Sequence, residues 1–241
     1  MTIIFKKEKL IFCKGLKNAG TSFEIALSKY CDKNDVIGWI ENEDEEIRKN
    51  LGFKSPQNNL YSKFELYKKS KKSFLLSIND KRIKHKFTNH MPLSQIKEEL
   101  GNNYFDLFKK IAIVRNPYDY IVSYYFYSIK ERNHSYTLSE WVQQNPQVLS
   151  MYKKLYFIDD QDSVDFYIRY ENFEEDINKL VSEHKFLENL YETFSNIKTK
   201  NKIKPKNIDS VKMISDSKGL AEVINFYFEY YFSRFHYKKI K

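Results

Sequence analysis

The chain has 241 residues, of which 41% are hydrophobic and 17% aromatic, and its formal net charge is +9. This length and apolar content support a full hydrophobic core and exclude an intrinsically disordered chain, so we predict a single domain over residues 1–241. Two cysteines are too few for a disulfide framework. No segment approaches the roughly 18 apolar residues of a membrane span, and residues 1–10 lack the apolar core of a signal peptide. We therefore expect a cytoplasmic protein that does not enter a membrane.

Short apolar runs, typical of buried strands, alternate along the chain with segments of helical periodicity. In chain order the predicted elements are a strand at 9–14, a helix at 21–30, a polar helix at 41–48, a loop at 55–62, a strand at 72–78, a helix at 92–100, a strand at 110–114, helices at 118–130 and 137–144, a strand at 164–168, and helices at 173–182 and 218–237. Asn172 with Glu175 three residues on predicts a capping box. The alternation predicts an α/β fold: a three-layer, P-loop-like domain whose mostly parallel central sheet is flanked by helices, with ligands at the carboxyl ends of the strands.

The segment between the first predicted strand and helix has the glycine spacing of an anion-binding loop. Residues 15–22, which we call the first loop, read Gly-Leu-Lys-Asn-Ala-Gly-Thr-Ser. Such a loop directs backbone N–H groups and the positive end of a helix at an anion. The usual nucleotide loop has lysine directly after its second glycine, where this chain has Thr21; its lysine is Lys17, inside the loop. An ordinary helix start capped by Thr21 or Ser22 would account for the same pattern.

A second candidate anion site follows the strand that precedes Arg115. Residues 114–119 read Val-Arg-Asn-Pro-Tyr-Asp, and Ser123 lies eight residues after Arg115. Arg115 would stand at the strand tip, the Asn-Pro pair would turn the chain, and Ser123 would lie about two helical turns further on. A guanidinium fork and a hydroxyl can together hold a phosphate through charge-assisted hydrogen bonds. Alone, this pattern is better explained by a structural arginine that caps a turn.

Together and in this order, the two motifs resemble those of the sulfotransferases that use PAPS (3′-phosphoadenosine-5′-phosphosulfate), most closely the carbohydrate sulfotransferase branch. The resemblance implies that the first loop holds the 5′-phosphosulfate and that Arg115 and Ser123 hold the 3′-phosphate. It also implies that Tyr170 lies near the adenine and that residues 226–237 form the closing helix. The cofactor-binding residues implied by the resemblance are Lys17, Asn18, Ala19, Gly20, Thr21, Ser22, Arg115, Ser123 and Tyr170.

The resemblance runs in order from about residue 9 to residue 237 and is thinnest between residues 36 and 84. One departure lies in the closing helix, where an acidic residue common in the family is aromatic here, near Tyr230 or Tyr231. That difference concerns packing more than chemistry.

The implied reaction is in-line displacement, which carries a sulfonate group from PAPS to a hydroxyl group. The loop amides and Lys17 would stabilise the leaving phosphate oxygen, so Lys17 is also a catalytic candidate. In the matching branch a histidine upstream of the second motif serves as general base, which favours His90. A histidine with a pKa of about 6.5 suits that task at neutral pH. We expect His90 to end a strand, just before a helix, on the ligand side of the sheet. His85 and Glu24 remain alternatives, the latter because some sulfotransferases use a glutamate base.

The partners follow from the same resemblance. No cluster of Asp and Glu with metal-ligand spacing accompanies the first loop, and we predict no required metal. The acceptor is a hydroxyl-bearing molecule; we favour a carbohydrate, with lipids and small molecules as alternatives. Its contacts are expected on variable loops within residues 36–84 and 134–162. The basic tract at residues 198–206 is expected to be a loop, either a solvated charge run or a cover for the nucleotide.

Three other functions fit parts of the pattern. A P-loop kinase is disfavoured because Thr21 occupies the lysine position and no clear strand-end Asp for magnesium follows. A nucleic-acid-binding protein would suit the net charge of +9, but no recognition-helix, zinc or RNA-sheet motif accompanies it, and we expect no nucleic-acid partner. A non-catalytic relative that binds the nucleotide without transferring a group would share every motif above.

Overall fold

The computed structural model describes residues 2–69, 85–197, 205 and 207–240. The strand predicted at residues 72–78 lies outside the described residues, as does the basic tract at 198–206 apart from Pro205. The strands are β1 Thr2–Phe5, β2 Leu10–Cys13, β3 Val36–Ile37, β4 Lys109–Val114, β5 Phe157–Ile158, β6 Gln161–Asp162 and β7 Phe166–Arg169. The helices are α1 Gly20–Ser28, α2 Asn42–Asn50, α3 Lys63–Lys69, α4 Leu93–Leu100, α5 Asn102–Phe105, α6 Pro117–Arg132, α7 Leu138–Gln144, α8 Met151–Tyr156, α9 Phe173–Glu183, α10 Leu190–Ser195, α11 Ser210–Ser215, α12 Leu220–Tyr227 and α13 Glu229–Phe235.

A five-stranded sheet in the order β3-β1-β2-β4-β7 forms the centre of this mixed α/β fold. Strands β2, β4 and β7 are parallel, with Cys13 paired to Ala112 and Val114 paired to Arg169. Strand β1 is antiparallel to both of its neighbours and was not predicted from the sequence. The three parallel strands therefore end at one edge of the sheet, which is where α/β folds gather their ligand-binding residues.

Both faces of the sheet are buried. Successive residues of a strand point to opposite faces, so Cys13 and Ala112 belong to one buried cluster while Phe12 and Ile111 belong to another. Residues of α4, α6, α7, α8 and the C-terminal helices fill the first cluster. Residues of α1, α9 and α10 fill the second. The continuous apolar runs of β2 and β4 follow from this burial on both sides.

The capping box predicted at Asn172 is wrong. Asn172 is the last residue of a 3-10 turn and has φ −131° and ψ 36°, so its backbone does not have the extended geometry of an N-cap. Within the described chain its side chain does not cap α9. Glu175 contacts Lys179 at 2.5 Å and Arg169 at 3.5 Å, and its Oε2 accepts from the side-chain amide of Asn172 at 3.3 Å. A capping box does form at the start of α7, between Thr137 and Glu140.

Two other expectations also fail on local geometry. The single helix predicted at residues 218–237 is divided at Phe228, which has φ −108° and is buried between the rings of Tyr120 and Tyr152. The packing of the Phe228 ring therefore separates α12 from α13. Over residues 85–90 the strand pairing is one isolated bridge, between Leu60 and His85, and His90 lies in the turn that follows, so His90 does not end a strand.

Candidate functional site

Three segments that carry predicted site residues follow directly on the three parallel strands. The first loop follows β2, Arg115 follows β4 and Tyr170 follows β7. The last three residues of the first loop form the opening turn of α1, which has no acidic residue in that turn. The strand order therefore brings the two predicted anion motifs and the predicted adenine-side tyrosine to the same edge of the sheet.

The first loop is held in an unusual backbone conformation. Lys17 has φ 55° and Ala19 has φ 62°, both in the left-handed region that costs a non-glycine residue about 1–2 kcal/mol. Ala19 occupies the N-cap position of α1, and in the part of the chain that the structure describes no side chain caps this helix. A left-handed residue followed by a helical one is the arrangement that turns successive N–H groups towards an anion.

Two glycines allow the first loop to pack closely against its surroundings. A Cβ at Gly15 would lie 2.3 Å from the hydroxyl of Tyr156 and 2.4 Å from Nδ2 of Asn18. A Cβ at Gly20 would lie 2.8 Å from Cγ of Lys14. All three distances are shorter than the contacts that real Cβ atoms make. Close packing therefore requires glycine at both positions.

Asn18 fixes the first loop to strand β4. Its side chain is fully buried, and Nδ2 donates to the carbonyl of Ile113 at 2.6 Å. The hydroxyl of Tyr156 donates to the same carbonyl at 3.1 Å. Asn18, predicted to bind cofactor, thus has its amide directed into the fold; any part it plays in binding an anion would use its backbone N–H.

Arg115 joins the second motif to the other two segments. Its Nη1 donates to the carbonyl of Lys17 at 3.0 Å, and its guanidinium lies 4.1 Å from the centre of the Tyr170 ring. Its Nε is buried and has no hydrogen-bond partner among the described residues. Asn116, the next residue, caps α6 by accepting from the backbone N–H of Tyr118 at 3.0 Å. The predicted turn at Asn116 is confirmed.

Lys17 contacts the face of α6 that also carries Ser123. The ammonium of Lys17 lies 3.8 Å from the centre of the Tyr127 ring. Tyr127 is four residues after Ser123, a spacing that puts both on one face of a helix. Ser123 is partly buried on α6, one side of which therefore faces the first loop.

His90 lies against the start of the first loop. Its Nδ1 is 3.3 Å from the carbonyl of Lys14, and it has φ 54° in a turn. Next to it, the carbonyl of Met91 is 3.6 Å from Sγ of Cys13, the last residue of β2. Burial holds the pKa of His90 well below its usual value of 6.5, and the positive charge of Lys14 acts in the same direction. The imidazole is therefore neutral at physiological pH.

The two alternative bases have different surroundings. His85 forms an isolated bridge with Leu60 and lies five residues before His90 in the chain. Glu24 is completely buried, with Oε2 at 3.2 Å from Nζ of Lys14 and Oε1 at 3.1 Å from Nη2 of Arg48. A carboxylate enclosed in this way does not reach an acceptor.

A shallow hollow of about 520 Å³ lies beside Tyr170. Its lining residues are aromatic, amide or acidic: Tyr170, Glu171, Asn172, Phe173, Glu174, Glu175 and Tyr191. One of them, Glu171, also accepts hydrogen bonds from the backbone N–H of Asn116 at 2.7 Å and from the hydroxyl of Tyr237 at 2.9 Å. The C-terminal tail is thereby fastened to the second motif.

Sequence reasoning missed Lys14 and Tyr127. A lysine placed directly after an apolar strand and just before a glycine was a usable signal for Lys14. Tyr127 carried no such signal, because tyrosine is abundant in this chain, with 19 copies.

The fold and site together define a mixed α/β protein in which two basic side chains, a helix start and a neutral histidine share one edge of the sheet. Comparisons with protein-family models, curated proteins and solved structures found no match to this chain. In the described residues no helix is both long and apolar enough to cross a membrane. Over the same residues, no group of three or more His, Cys, Asp or Glu is placed to hold a metal ion.

Proposed function

We propose that this chain is a PAPS-dependent sulfotransferase, a cytoplasmic three-layer P-loop-like domain that transfers a sulfonate group to a hydroxyl, with a carbohydrate acceptor favoured. The observation that carries the proposal is the contact of Arg115 with both the Lys17 carbonyl and the Tyr170 ring. The donor has two anionic ends on one nucleoside, so its protein must hold two anion sites and an aromatic surface next to one another. The Arg115 contacts supply that proximity.

The charges at this edge suit an anion. Lys17 and Arg115 are both basic, and the opening turn of α1 adds the partial positive charge of a helix start. The guanidinium of Arg115 carries five N–H donors, so those beyond the one that binds the Lys17 carbonyl would be the donors for an oxygen of the ligand. Ser123 would add a hydroxyl from the face of α6 that also carries Tyr127.

The hollow beside Tyr170 suits the neutral base of the nucleotide. Tyr170, Phe173 and Tyr191 offer ring faces for stacking. Its three glutamates would repel the phosphates, which favours the phosphates on the Arg115 side of Tyr170 and the base on the other. Carboxylates also accept hydrogen bonds from an exocyclic amino group.

We assign His90 the role of general base because it is unprotonated at physiological pH and lies at the first loop, although its lowered pKa makes it a weaker base than the histidine of pKa about 6.5 expected from the sequence. If Nδ1–H donates to the Lys14 carbonyl, the tautomer is fixed and Nε2 keeps its lone pair. Nε2 then accepts the proton of the acceptor hydroxyl. As it does so, the hydroxyl oxygen bonds to sulfur, and the bond between sulfur and the bridging phosphate oxygen breaks. Lys17 and the N–H groups at the start of α1 would stabilise the charge that develops on that leaving oxygen. No step in this scheme uses a metal ion, and none is proposed.

Calorimetry tests the nucleotide part of the proposal. Adenosine 3′,5′-bisphosphate, the product left by PAPS, should bind the protein without magnesium, and ATP with magnesium should bind more weakly. Preference for ATP with magnesium would favour a kinase, and a steeply salt-dependent affinity for DNA that outcompetes the bisphosphate would favour a nucleic-acid-binding protein.

Incubation with ³⁵S-labelled PAPS and pools of host glycans, lipids and small metabolites tests transfer. We expect a labelled product in the glycan pool. Binding of the bisphosphate with no labelled product in any pool would identify a nucleotide-binding protein without transferase activity.

A further inference from the structure

Four charged side chains form a buried network behind the first loop. Lys14, Glu24 and Arg48 are 3%, 0% and 0% exposed, and Glu45 is 11% exposed. Arg48 contacts Oε1 of Glu24 at 3.1 Å through Nη2 and Oε1 of Glu45 at 2.9 Å through Nη1. With two cations and two anions the network is neutral. Removing these charges from water is costly, and buried ion pairs are often no more stabilising than apolar side chains of the same size.

The network connects α2 to the first loop. Arg48 and Glu45 belong to α2, and Oε1 of Glu45 also accepts from the backbone N–H of Ile40 at 2.8 Å. Glu24 belongs to α1, and Lys14 is the residue between β2 and the first loop. The network therefore crosses three segments and ends at the residue on which the candidate site begins.

Lys14 contacts two parts of the candidate site. Its carbonyl is 3.3 Å from Nδ1 of His90, and its Cγ would lie 2.8 Å from a Cβ at Gly20. Its ammonium is held by Glu24 at 3.2 Å. A change in the direction of the Lys14 side chain would displace the backbone that orients His90 and the side-chain stem against which the opening of α1 packs.

We propose that Glu24 and Arg48 are positioning residues, which fix Lys14 and through it hold His90 and the start of α1 in register. This inference rests on the proposed function for the role of His90 and the first loop in binding and transfer. The placement of His90 and of the start of α1 by the network can be measured whether or not that function holds. It gives Glu24 a role different from that of a base, because a carboxylate held by two cations orients its partners.

The test uses protein labelled with ¹³C and ¹⁵N in its five histidines, with the His90 signals assigned from a His90→Gln variant. We expect Glu24→Gln and Arg48→Lys each to shift the His90 ring signals and to weaken binding of adenosine 3′,5′-bisphosphate about tenfold, within the coupling seen between members of one network. Arg48→Lys keeps the charge but replaces a fork that bonds two carboxylates, so retention of charge alone should not rescue the site.

Two controls separate positioning from stability. Leu187→Ala removes a fully buried side chain next to Phe186, which packs on Phe5 at the opposite end of the sheet, and should lower thermal stability without moving His90 or the affinity. A Lys14→Met, Glu24→Leu, Arg48→Met triple variant, made together with Glu45→Gln, removes all four charges and keeps an acceptor for the Ile40 N–H; it should fold while binding the bisphosphate poorly.

The outcomes are distinct. Wild-type His90 signals and wild-type affinity in Glu24→Gln, Arg48→Lys or the triple variant would overturn the positioning role. A wild-type protein that fails to bind the bisphosphate would overturn the proposed function, while the His90 signals would still decide whether the network sets the register.

Discussion

Nη1 of Arg115 donates to the backbone carbonyl of Lys17 at 3.0 Å, although the two residues are 98 positions apart in the chain. The same guanidinium covers the ring of Tyr170 at 4.1 Å. Arg115 therefore both offers charge to a ligand and fixes the first loop relative to the end of β7. The first two predictions below depend on that arrangement.

Arg115→Ala should weaken binding of adenosine 3′,5′-bisphosphate more than Ser123→Ala does. Truncation of a charged partner costs about 2–5 kcal/mol, whereas a hydroxyl bonded to a phosphate contributes about 1.5–3 kcal/mol. Isothermal titration calorimetry measures both. Arg132→Ala, at the exposed end of α6, is the charge-matched control and should bind normally. An unchanged affinity in Arg115→Ala would remove the second anion site.

Lys17→Ala should lower turnover more than it lowers affinity for the bisphosphate. The ammonium would act on the leaving oxygen as charge develops, which is an interaction stronger in the transition state than in the ground state. The backbone carbonyl of residue 17 is retained in this variant, so the hydrogen bond from Arg115 to the first loop is kept. Steady-state kinetics with the acceptor found by ³⁵S labelling should be compared with calorimetry, and Lys29→Ala serves as the control. Equal losses in rate and affinity would make Lys17 a simple binding residue.

His90→Ala should lower turnover by about 10²–10⁴, the usual contribution of a positioned general base. Bisphosphate binding should remain close to that of the wild type, because the imidazole lies on the Lys14 side of the first loop. His85→Ala should have a much smaller effect. A collapsed rate in His85→Ala with a normal rate in His90→Ala would transfer the role to His85, and normal rates in both would end the histidine mechanism.

The His90 imidazole should titrate below pH 6.5, because burial disfavours its charged form and lowers its pKa. Turnover should then stay level as pH falls from 8 through 6.5 and decline only below the lowered pKa. The folded state also binds fewer protons than the unfolded state, so His90 reduces stability as pH falls below 6.5 and has no such effect above it. NMR titration of the His90 ring gives the midpoint directly. A midpoint at or above 6.5 would contradict the prediction.

Gly15→Ala should destabilise the fold by about 1–3 kcal/mol, the usual cost of an added methyl group in a packed site. The new Cβ would lie 2.3 Å from the hydroxyl of Tyr156 and 2.4 Å from Nδ2 of Asn18. Chemical denaturation measures the change. Tyr156→Phe alone and together with Gly15→Ala completes a cycle in which loss of the hydroxyl should relieve part of the clash. Strictly additive effects would show that Gly15 is not required for this close approach.

The sequence by itself determined the local elements that build the site. An apolar run, a glycine-bearing loop and a helical period located β2, the first loop and α1. A buried run followed by Asn116 and Pro117 located β4 and the start of α6, because a capping side chain and a missing N–H act within a few residues. These signals are local, and local physics is sufficient to read them.

Only the tertiary structure decided what those elements bring together. Strand β1 and the division of the last helix at Phe228 depend on partners distant in the chain. The predicted cap at Asn172 was lost because this residue ends a 3-10 turn and lacks the extended backbone of an N-cap. The burial of Glu24 between Lys14 and Arg48 is likewise invisible to any periodicity, since the three charges lie on three separate elements. Their solvation depends on how the chain folds back on itself, and the energy of a charge is set by the surroundings that folding provides.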